Sequence, residues 1–553
     1  MKKLLTIILL TSILLGCVPA TQPTPQTTPE PASTQTAAPA PETESAAWWR
    51  AAVFYEIFVR SFNDSNNDGI GDFNGITQKL DYLQDLGITA VWLMPIFPSP
   101  SYHGYDVMDY YDVNPQYGSM DNFKNLVAEA HKRDIRVIID LVINHTSDKH
   151  PWFKEAKDPN SPYRDWYIWS ETDPKYEGPW GQRVWHSSTS GFYYGIFEAF
   201  MPDLNYNNPA VTEEMKKVST FWLTDIGVDG FRLDAAKHLI EDGVIQQNTE
   251  ATHLWYQNEF YPAYKAVNPE AMTVGELFGD GLNTIAQYIK NDQFDLAFNF
   301  QLANSFIASA NTGKAGNLPN TLKVSDKAIP DNQYATFLTN HDQNRVMSQL
   351  GGDVNKAKLA AFFLLTSPGT PFIYYGEEIG MQGRKPDENI RLPMQWTPDE
   401  NAGFTTGRPW RAPASDYLNV NVAAQNRVSE SLLEHYRALI QLRNKYSTMQ
   451  TGDLIPLKSN KPSVYAVLRV DENGTFLILA NLSAEAISGY TITLKDAGLA
   501  ESAYSVETVF GAGQAANLER SGEAFSEYIP FENLNPYAMY VLKLQSAITA
   551  NPK

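Results

Sequence analysis

The chain has 553 residues, and its 43 Lys and Arg against 63 Asp and Glu leave a net charge of −20 on a composition that is 43% hydrophobic and 12% aromatic. A surface this acidic repels phosphate backbones and anionic headgroups, which argues against nucleic acid and for a neutral ligand. The one cysteine, Cys17, rules out an intrachain disulfide and a cysteine-based zinc cluster, so stability must come from a large packed core.

At the N-terminus, Lys2 and Lys3 precede the apolar run Leu4 to Leu15, which is shorter than the ~20 residues a bilayer span needs and reads as a secretory signal. The run ends in Leu14-Leu15-Gly16-Cys17, which resembles the lipobox of bacterial lipoproteins, so residues 1–16 are expected to be removed and Cys17 to be lipidated. Residues 17–47 are rich in Pro, Thr, Ala, Gln and Ser and form an extended tether without enough apolar surface to fold. The expected location is outside the cytoplasm, on the bacterial cell membrane, with the lipid as the only membrane contact and the folded body a monomer.

From Ala51 onward, short apolar runs alternate with helical stripes. Strands are predicted at Ala51 to Val59, Thr89 to Met94, Arg136 to Val142, Val228 to Leu233, Met272 to Val274, Phe294 to Phe298, Thr336 to Leu338 and Phe372 to Tyr375. Between the first two lies Asp64-Ser-Asn-Asn-Asp68-Gly-Ile-Gly-Asp72. It places Asp64, Asn66, Asp68, the Ile70 carbonyl and Asp72 at the first, third, fifth, seventh and ninth positions of an EF-hand-like loop, hard oxygen ligands suited to Ca2+. Gly75 stands where the bidentate Glu would be, and the alternative is an Asx-rich turn. Helical spacing joins Ile76, Leu80, Leu83 and Leu86, then Phe123, Leu126, Val127 and Ala130 behind a cap at Ser119 or Asp121.

Eight buried strands alternating with helices predict a (β/α)8 TIM barrel over residues 48–143 and 206–446. Asp140 and Asp234 are 94 residues apart whereas Asp234 and Glu276 are 42 apart, so the connection after the third strand carries an insertion, residues 144–205, rich in Trp. Beyond the helix carrying Leu432, Tyr436, Leu439 and Leu442, β-rich runs over 447–546 predict a C-terminal antiparallel β-sandwich.

Chemistry on a barrel sits at the strand C-terminal ends. Asp140, Asn144 and His145 follow the third strand, Arg232 and Asp234 end the fourth, Glu276 the fifth, and His341 and Asp342 the seventh. Asp234, Glu276 and Asp342 thus converge on one rim, where repulsion and desolvation raise the proton affinity of at least one. Arg232, two residues before Asp234 and on the same strand face, keeps Asp234 ionised. The trio suits a nucleophile and a proton donor flanking a glycosidic bond. It equally suits a divalent metal, although no histidine-rich ligand set accompanies it and the many aromatics favour a sugar.

Four segments carry a resemblance: Asp140-Leu-Val-Ile-Asn-His145, Gly230-Phe-Arg-Leu-Asp-Ala-Ala-Lys-His238, Gly275-Glu276-Leu277 and Phe337-Leu-Thr-Asn-His-Asp342. In order and spacing they resemble the conserved regions of the α-amylase family, glycoside hydrolase family 13, and Trp92-Leu-Met-Pro-Ile96 and Met201-Pro-Asp-Leu-Asn205 resemble its two supplementary regions. The resemblance implies Asp234 as nucleophile, Glu276 as general acid/base and Asp342 as stabiliser of the transition state. It implies sugar contacts from Tyr105, Asp106, His145, Arg232 and His341, and places Lys237 and His238 beyond the cleaved bond. Asn144 matches a family calcium ligand.

Met201-Pro-Asp-Leu-Asn205 resembles a group intermediate between oligo-1,6-glucosidases and neopullulanases that includes lipoprotein α-amylases, whereas Arg391-Leu-Pro-Met-Gln-Trp396 is similar to a segment of oligo-α-glucosidases and adds Arg391 as a substrate contact. The expected activity is a retaining, endo-acting α-amylase on α-1,4-glucans with some transglycosylation. The alternatives are an oligo-α-glucosidase or neopullulanase-like enzyme and, in another class, a non-catalytic sugar-binding lipoprotein, which would have no use for the carboxylate trio.

Overall fold

A computed structural model describes residues 47–495, 497–499, 503–520, 525 and 527–546. The signal and lipidation readings, including Cys17, lie outside the described residues. Among those residues, no helix is long and apolar enough to cross a membrane.

All eight predicted barrel strands form, as β1 (Phe54–Ile57), β2 (Ala90–Leu93), β3 (Arg136–Leu141), β7 (Gly230–Leu233), β8 (Met272–Gly275), β9 (Leu296–Phe298), β10 (Tyr334–Phe337) and β11 (Thr370–Tyr374). They close into one parallel barrel in the order β1-β11-β10-β9-β8-β7-β3-β2. The first run is shorter than its apolar stretch because Val59–Phe62 already turns as a helix. The seventh begins two residues earlier than its apolar stretch, at Tyr334. Helix Met120–His131 starts at Ser119, whose side chain and that of Asn122 cap each other's backbone N–H groups.

Because strand side chains alternate, each barrel strand divides its residues between the barrel axis and the helices outside. Phe54, Trp92, Ile138, Val274, Phe298, Phe337 and Phe372 fill the axis, with the Phe54 and Phe372 rings stacked at 4.3 Å. Tyr55, Val91, Ile139, Phe231 and Leu233 face the helices. On the same inward parity, two residues further along β1, β3 and β7 than Phe54, Ile138 and Gly230, come Glu56, Asp140 and Arg232. Asp140 stands opposite Arg232 in the β3–β7 register, and Glu56 opposite Tyr374 in the β1–β11 register. Gly230 opens β7 where a Cβ would lie 2.1 Å from the Met272 carbonyl oxygen, so only glycine lets β7 and β8 approach there.

The insertion carries a three-stranded antiparallel sheet, β4 (Trp169–Ser170), β5 (Trp185–Ser188) and β6 (Gly191–Tyr194), with β6 in the middle. Helix Pro151–Ala156 precedes it. Backbone bonds from Thr146 to Pro202 and from Leu204 to Asn144 tie the two ends of the insertion to each other.

After helix Leu432–Lys445 the chain forms a six-stranded antiparallel sheet and two smaller ones that share a core including Val464, Leu479, Ile492, Tyr528 and Leu542. Two buried arginines bind this domain to the barrel. Arg443 donates to the carbonyls of Leu365, Ser367, Gly369 and Gln450, and Arg469 to those of Thr366, Met449 and Gly452. The acceptors at Leu365 and Thr366 are end carbonyls of helix Val354–Thr366, which have no partner within the helix and carry its negative dipole end.

Candidate active site

Strand ends deliver the trio. β7 runs out at Leu233, and Ala235, immediately after Asp234, takes a left-handed backbone at φ 50°, a conformation that turns the chain sharply beneath the Asp234 carboxyl. Such a conformation is costly for a residue with a Cβ and clusters at functional sites. Glu276 follows the last residue of β8, and its N–H donates to the Leu233 carbonyl at 3.1 Å, which sets the two acidic residues on adjacent strand ends. Asp342 lies in the turn after β10, its N–H held by the Asn340 side chain at 3.0 Å.

Arg232, only 1% exposed, joins the first two. Its Nη1 donates to Asp234 Oδ1 at 2.7 Å and its Nη2 to Glu276 Oε2 at 2.7 Å, while Nη1 also reaches Asp140 Oδ1 at 2.8 Å. The guanidinium lies 5.3 Å from the Trp92 ring centroid, which floors the site. Burial pushes the Asp234 and Glu276 carboxyls above their usual range, Arg232 draws each back, and the Asp342 charge pushes both up again. The pair therefore titrates as a unit that retains a proton more readily than free carboxyls do.

Asp342 is in the opposite condition. Burial would raise it, but His341 and Arg391 hold it well below the usual carboxylate range. His341 Nε2 lies 3.1 Å from Asp342 Oδ2, and Arg391 Nη2 donates to Asp342 Oδ1 at 2.8 Å. His341 is fully buried, yet Asp342 and Glu56 together push it up to about 10. One carboxylate of the trio thus keeps a fixed negative charge while the other two share Arg232.

Asp234, Glu276 and Asp342 line a cleft of about 640 Å³, while Arg232 and His341, expected as sugar contacts, are buried and not among its lining residues. Tyr105, His145, Lys237, His238 and Arg391 line it too. Tyr105 donates its hydroxyl proton to Asp140 Oδ2 at 3.1 Å and its ring stacks on His341 at 5.6 Å. Burial draws His145 and His238 down to about 4, so both rings are neutral donors or acceptors for sugar hydroxyls at neutral pH. Lys237 is anchored by the Phe278 carbonyl at 2.6 Å and by Asp280 at 3.2 Å. Asp106 stands behind the wall: it is 2% exposed, accepts the hydroxyls of Ser99 and Ser101, and is not among the lining residues.

Residues 56–452 match the family described as alpha amylase, catalytic domain. The chain is 42% identical over 443 residues to Alpha-amylase 3 of Dictyoglomus thermophilum, covering 79% of this chain and 85% of that one. It is 35% identical over 509 residues to an oligo-1,6-glucosidase of Parageobacillus thermoglucosidasius, covering 79% and 90%. The crystal structure of the α-amylase from H. orenii superposes with a TM-score of 0.78 at 41% identity, covering 89% of this chain and 99% of that one. The chain belongs to the α-amylase family.

It is therefore a glycoside hydrolase of family 13. Members of this family often carry calcium, and two places in the chain were expected to do so. Among the described residues no group of three or more His, Cys, Asp or Glu side chains is arranged to hold a metal ion. In the Asp64 loop the side chains instead bind the loop's own amides. Asp64 accepts from the N–H groups of Asn66, Asn67 and Gly69, Asn66 from Asp68, and Asp68 from Ile70. Asp72 turns away to accept from Ser65 and to cap helix Phe73–Gln78 through the Gly75 N–H. At the second place the donor set fits a hard cation better. Asn144 Oδ1 is buried without a hydrogen-bond partner among the described residues, while Nδ2 of the same amide donates to the buried Asp203 at 3.1 Å. No ion pair among the described residues involves Asp203, and burial with the nearby Glu241 charge pushes its carboxyl well above the usual range, which a bound cation would reverse.

Several lining residues of this family-13 site were not legible in the sequence. Trp180 and Phe278 are 55% and 54% exposed in the cleft wall, and Phe197 lies 5.8 Å from Trp180 and 5.9 Å from His238. Lys385 and Asp387 close the other end, Asp387 bonding to Arg391 at 3.3 Å. Glu56 sits below His341 at 2.5 Å. The available signal for Phe278 was its place two residues after Glu276; an aromatic on a long irregular insertion, such as Trp180, gives none.

Proposed function

We propose that the protein is a retaining, endo-acting α-amylase that hydrolyses α-1,4-glucosidic bonds in starch and maltooligosaccharides. The observation that carries this reading is the cleft wall beyond the carboxylates. There Trp180 and Phe278 are exposed aromatic faces on either side of Lys237 and His238, a surface for further sugar rings past the cleaved bond.

In the first step the ionised Asp234 attacks the anomeric carbon and Glu276 gives its proton to the departing glycosidic oxygen, leaving a glucosyl ester on Asp234. In the second, Glu276 takes a proton from water, the oxygen of which displaces Asp234 and leaves the anomeric centre in its original α configuration. A second sugar hydroxyl in place of water gives transglycosylation. Asp342, fixed as a carboxylate, stabilises the positive charge that develops on the sugar in both steps.

The oligo-α-glucosidase reading draws on Arg391, Asp387 and Lys385, which crowd one end of the cleft. Product analysis separates the two. An endo enzyme releases a ladder of maltooligosaccharides from starch before glucose accumulates and leaves isomaltose intact, with fresh product in the α form by NMR. Glucose as the sole early product from starch would favour the exo reading.

Calcium is proposed as a structural ion, held by Asp64, Asn66, Asp68, the Ile70 carbonyl and Asp72, with Asn144 beside Asp203 as a second site. When bound it would neutralise carboxylates and stiffen loops, away from the bond being cleaved. The enzyme is proposed to act as a monomer, anchored by lipid on Cys17 to the outside of the bacterial cell membrane.

A further inference from the structure

Glu56 is 2% exposed on β1 between apolar neighbours in the chain, and its carboxylate has one strong partner: Oε1 lies 2.5 Å from His341 Nδ1. The other nitrogen of that ring faces Tyr105 Oη at 2.6 Å and Asp342 Oδ2 at 3.1 Å. Whichever way the Tyr105 contact runs, the Asp342 carboxylate is an acceptor facing Nε2, as the Glu56 carboxylate is for Nδ1. Both ring nitrogens therefore meet acceptors, and only an imidazolium donates from both. The remaining charged groups around the pair fit this polarity. Tyr374 stands opposite Glu56 on β11, Arg345 lies 4.4 Å over the Tyr374 ring, the Glu56 charge is felt at Glu377, and the Arg391 Nε donates to the His341 carbonyl at 2.9 Å. Arg232 shares Asp140 with Tyr105.

We propose that Glu56 is a positioning residue for catalysis: its buried carboxylate keeps the His341 ring doubly protonated, and that imidazolium holds Asp342 ionised and oriented under the sugar throughout the working pH range. Without Glu56, the ring loses its reason to carry two protons as pH rises. A neutral ring can still donate one N–H to Asp342 but no longer offsets its charge, and the cavity loses the fixed charge on which the division of labour between Asp234 and Glu276 depends. The inference rests on the retaining reading of the site. The two are separable, because the protonation state of His341 is read without turnover and the anomeric outcome is read without Glu56 variants.

The experiment is a histidine NMR titration of the wild-type full chain, whose nine histidines give a countable spectrum, with the His341 signals assigned by their loss in His341→Gln. His341 is expected to keep both ring protons from about pH 6 to about pH 8.5, where a histidine with the ordinary value near 6.5 would titrate. In Glu56→Gln the ring should titrate near or below that ordinary value. Its kcat should then fall about fourfold at pH 7 and about a hundredfold at pH 8.5, following the protonated fraction, with KM changed much less. Glu56→Asp, which keeps the charge, should restore the flat profile. A His341 that is neutral at pH 7 in the wild type overturns the proposal, whether or not any variant folds. So does a folded Glu56→Gln whose kcat falls equally at every pH, since that is the mark of a merely structural residue.

Discussion

Arg232 puts within reach of one guanidinium two carboxylates to which the proposed mechanism gives unlike tasks, and the consequence for mutation is specific. Glu276→Gln removes the transferable proton and Asp234→Asn the nucleophile, while each amide still offers an oxygen to Arg232. Both variants should keep the wild-type melting temperature within a few degrees and lose at least about a thousandfold in kcat on starch. Activity within tenfold of wild type in either would remove that residue from its role. A second residue-scale expectation concerns Glu377, 4% exposed, which accepts the Tyr436 hydroxyl at 2.9 Å and leaves its other oxygen unpaired. Burial pushes it up to about 8, above its unfolded value near 4.3. A raised carboxyl contributes its stability fully below the unfolded value and loses it as pH rises towards the folded one. Glu377→Gln should therefore melt at or above the wild-type temperature at pH 8, with the difference vanishing towards pH 4. A variant less stable at pH 8 than at pH 4, relative to wild type, would contradict this. The acidic trio could be read from the chain because each member ends a buried apolar run. Glu56 could not, since its meaning depends on His341, which lies 285 positions away.

At the level of elements, strand identity followed from unbroken apolar runs, whereas loop partners did not follow from local sequence at all. The Asp64 loop illustrates the difference. Its spacing announced hard oxygen ligands, but its fixed shape depends on a distant segment. Asp64 N–H donates to the Phe404 carbonyl at 3.1 Å, Trp410 N–H to the Gly69 carbonyl at 2.8 Å, and Gly69, at φ 93°, leaves room for only 1.9 Å between a Cβ and the Arg408 carbonyl oxygen. A cation bound here would stabilise the folded state by RT ln(1 + [L]/Kd), about 2.7 kcal/mol at a hundredfold excess over Kd. Chelation should therefore lower the melting temperature of the wild type more than that of Asp68→Ala, while turnover at modest temperature survives in both. If chelation lowers both equally, and they start from the same temperature, the ion sits with Asn144 and Asp203. The insertion was legible as a length anomaly of the third connection, yet its three-stranded sheet was not, because β4 has two residues and no alternation to display.

For the whole molecule, the proposed lipid anchor on Cys17 can be tested separately from catalysis. If Cys17 carries the only anchor, Cys17→Ser should move the enzyme from the membrane fraction to the soluble one with kcat/KM on short maltooligosaccharides unchanged. Retention of the variant in the membrane would mean an uncleaved signal or a partner.

The two arginines between the barrel and the C-terminal domain make these parts one thermodynamic body. Arg443 and Arg469 satisfy seven backbone carbonyls drawn from both sides, and removing either leaves buried acceptors that water cannot reach. The protein should accordingly melt in a single calorimetric transition despite its size. Arg469→Ala, at a cost of ~1–3 kcal/mol for each buried carbonyl it leaves unpaired, should split that peak into two, with the β-rich part unfolding first. The C-terminal domain is then no appendage to be trimmed for a smaller catalyst. It caps the open C-terminal end of helix Val354–Thr366 through Arg469.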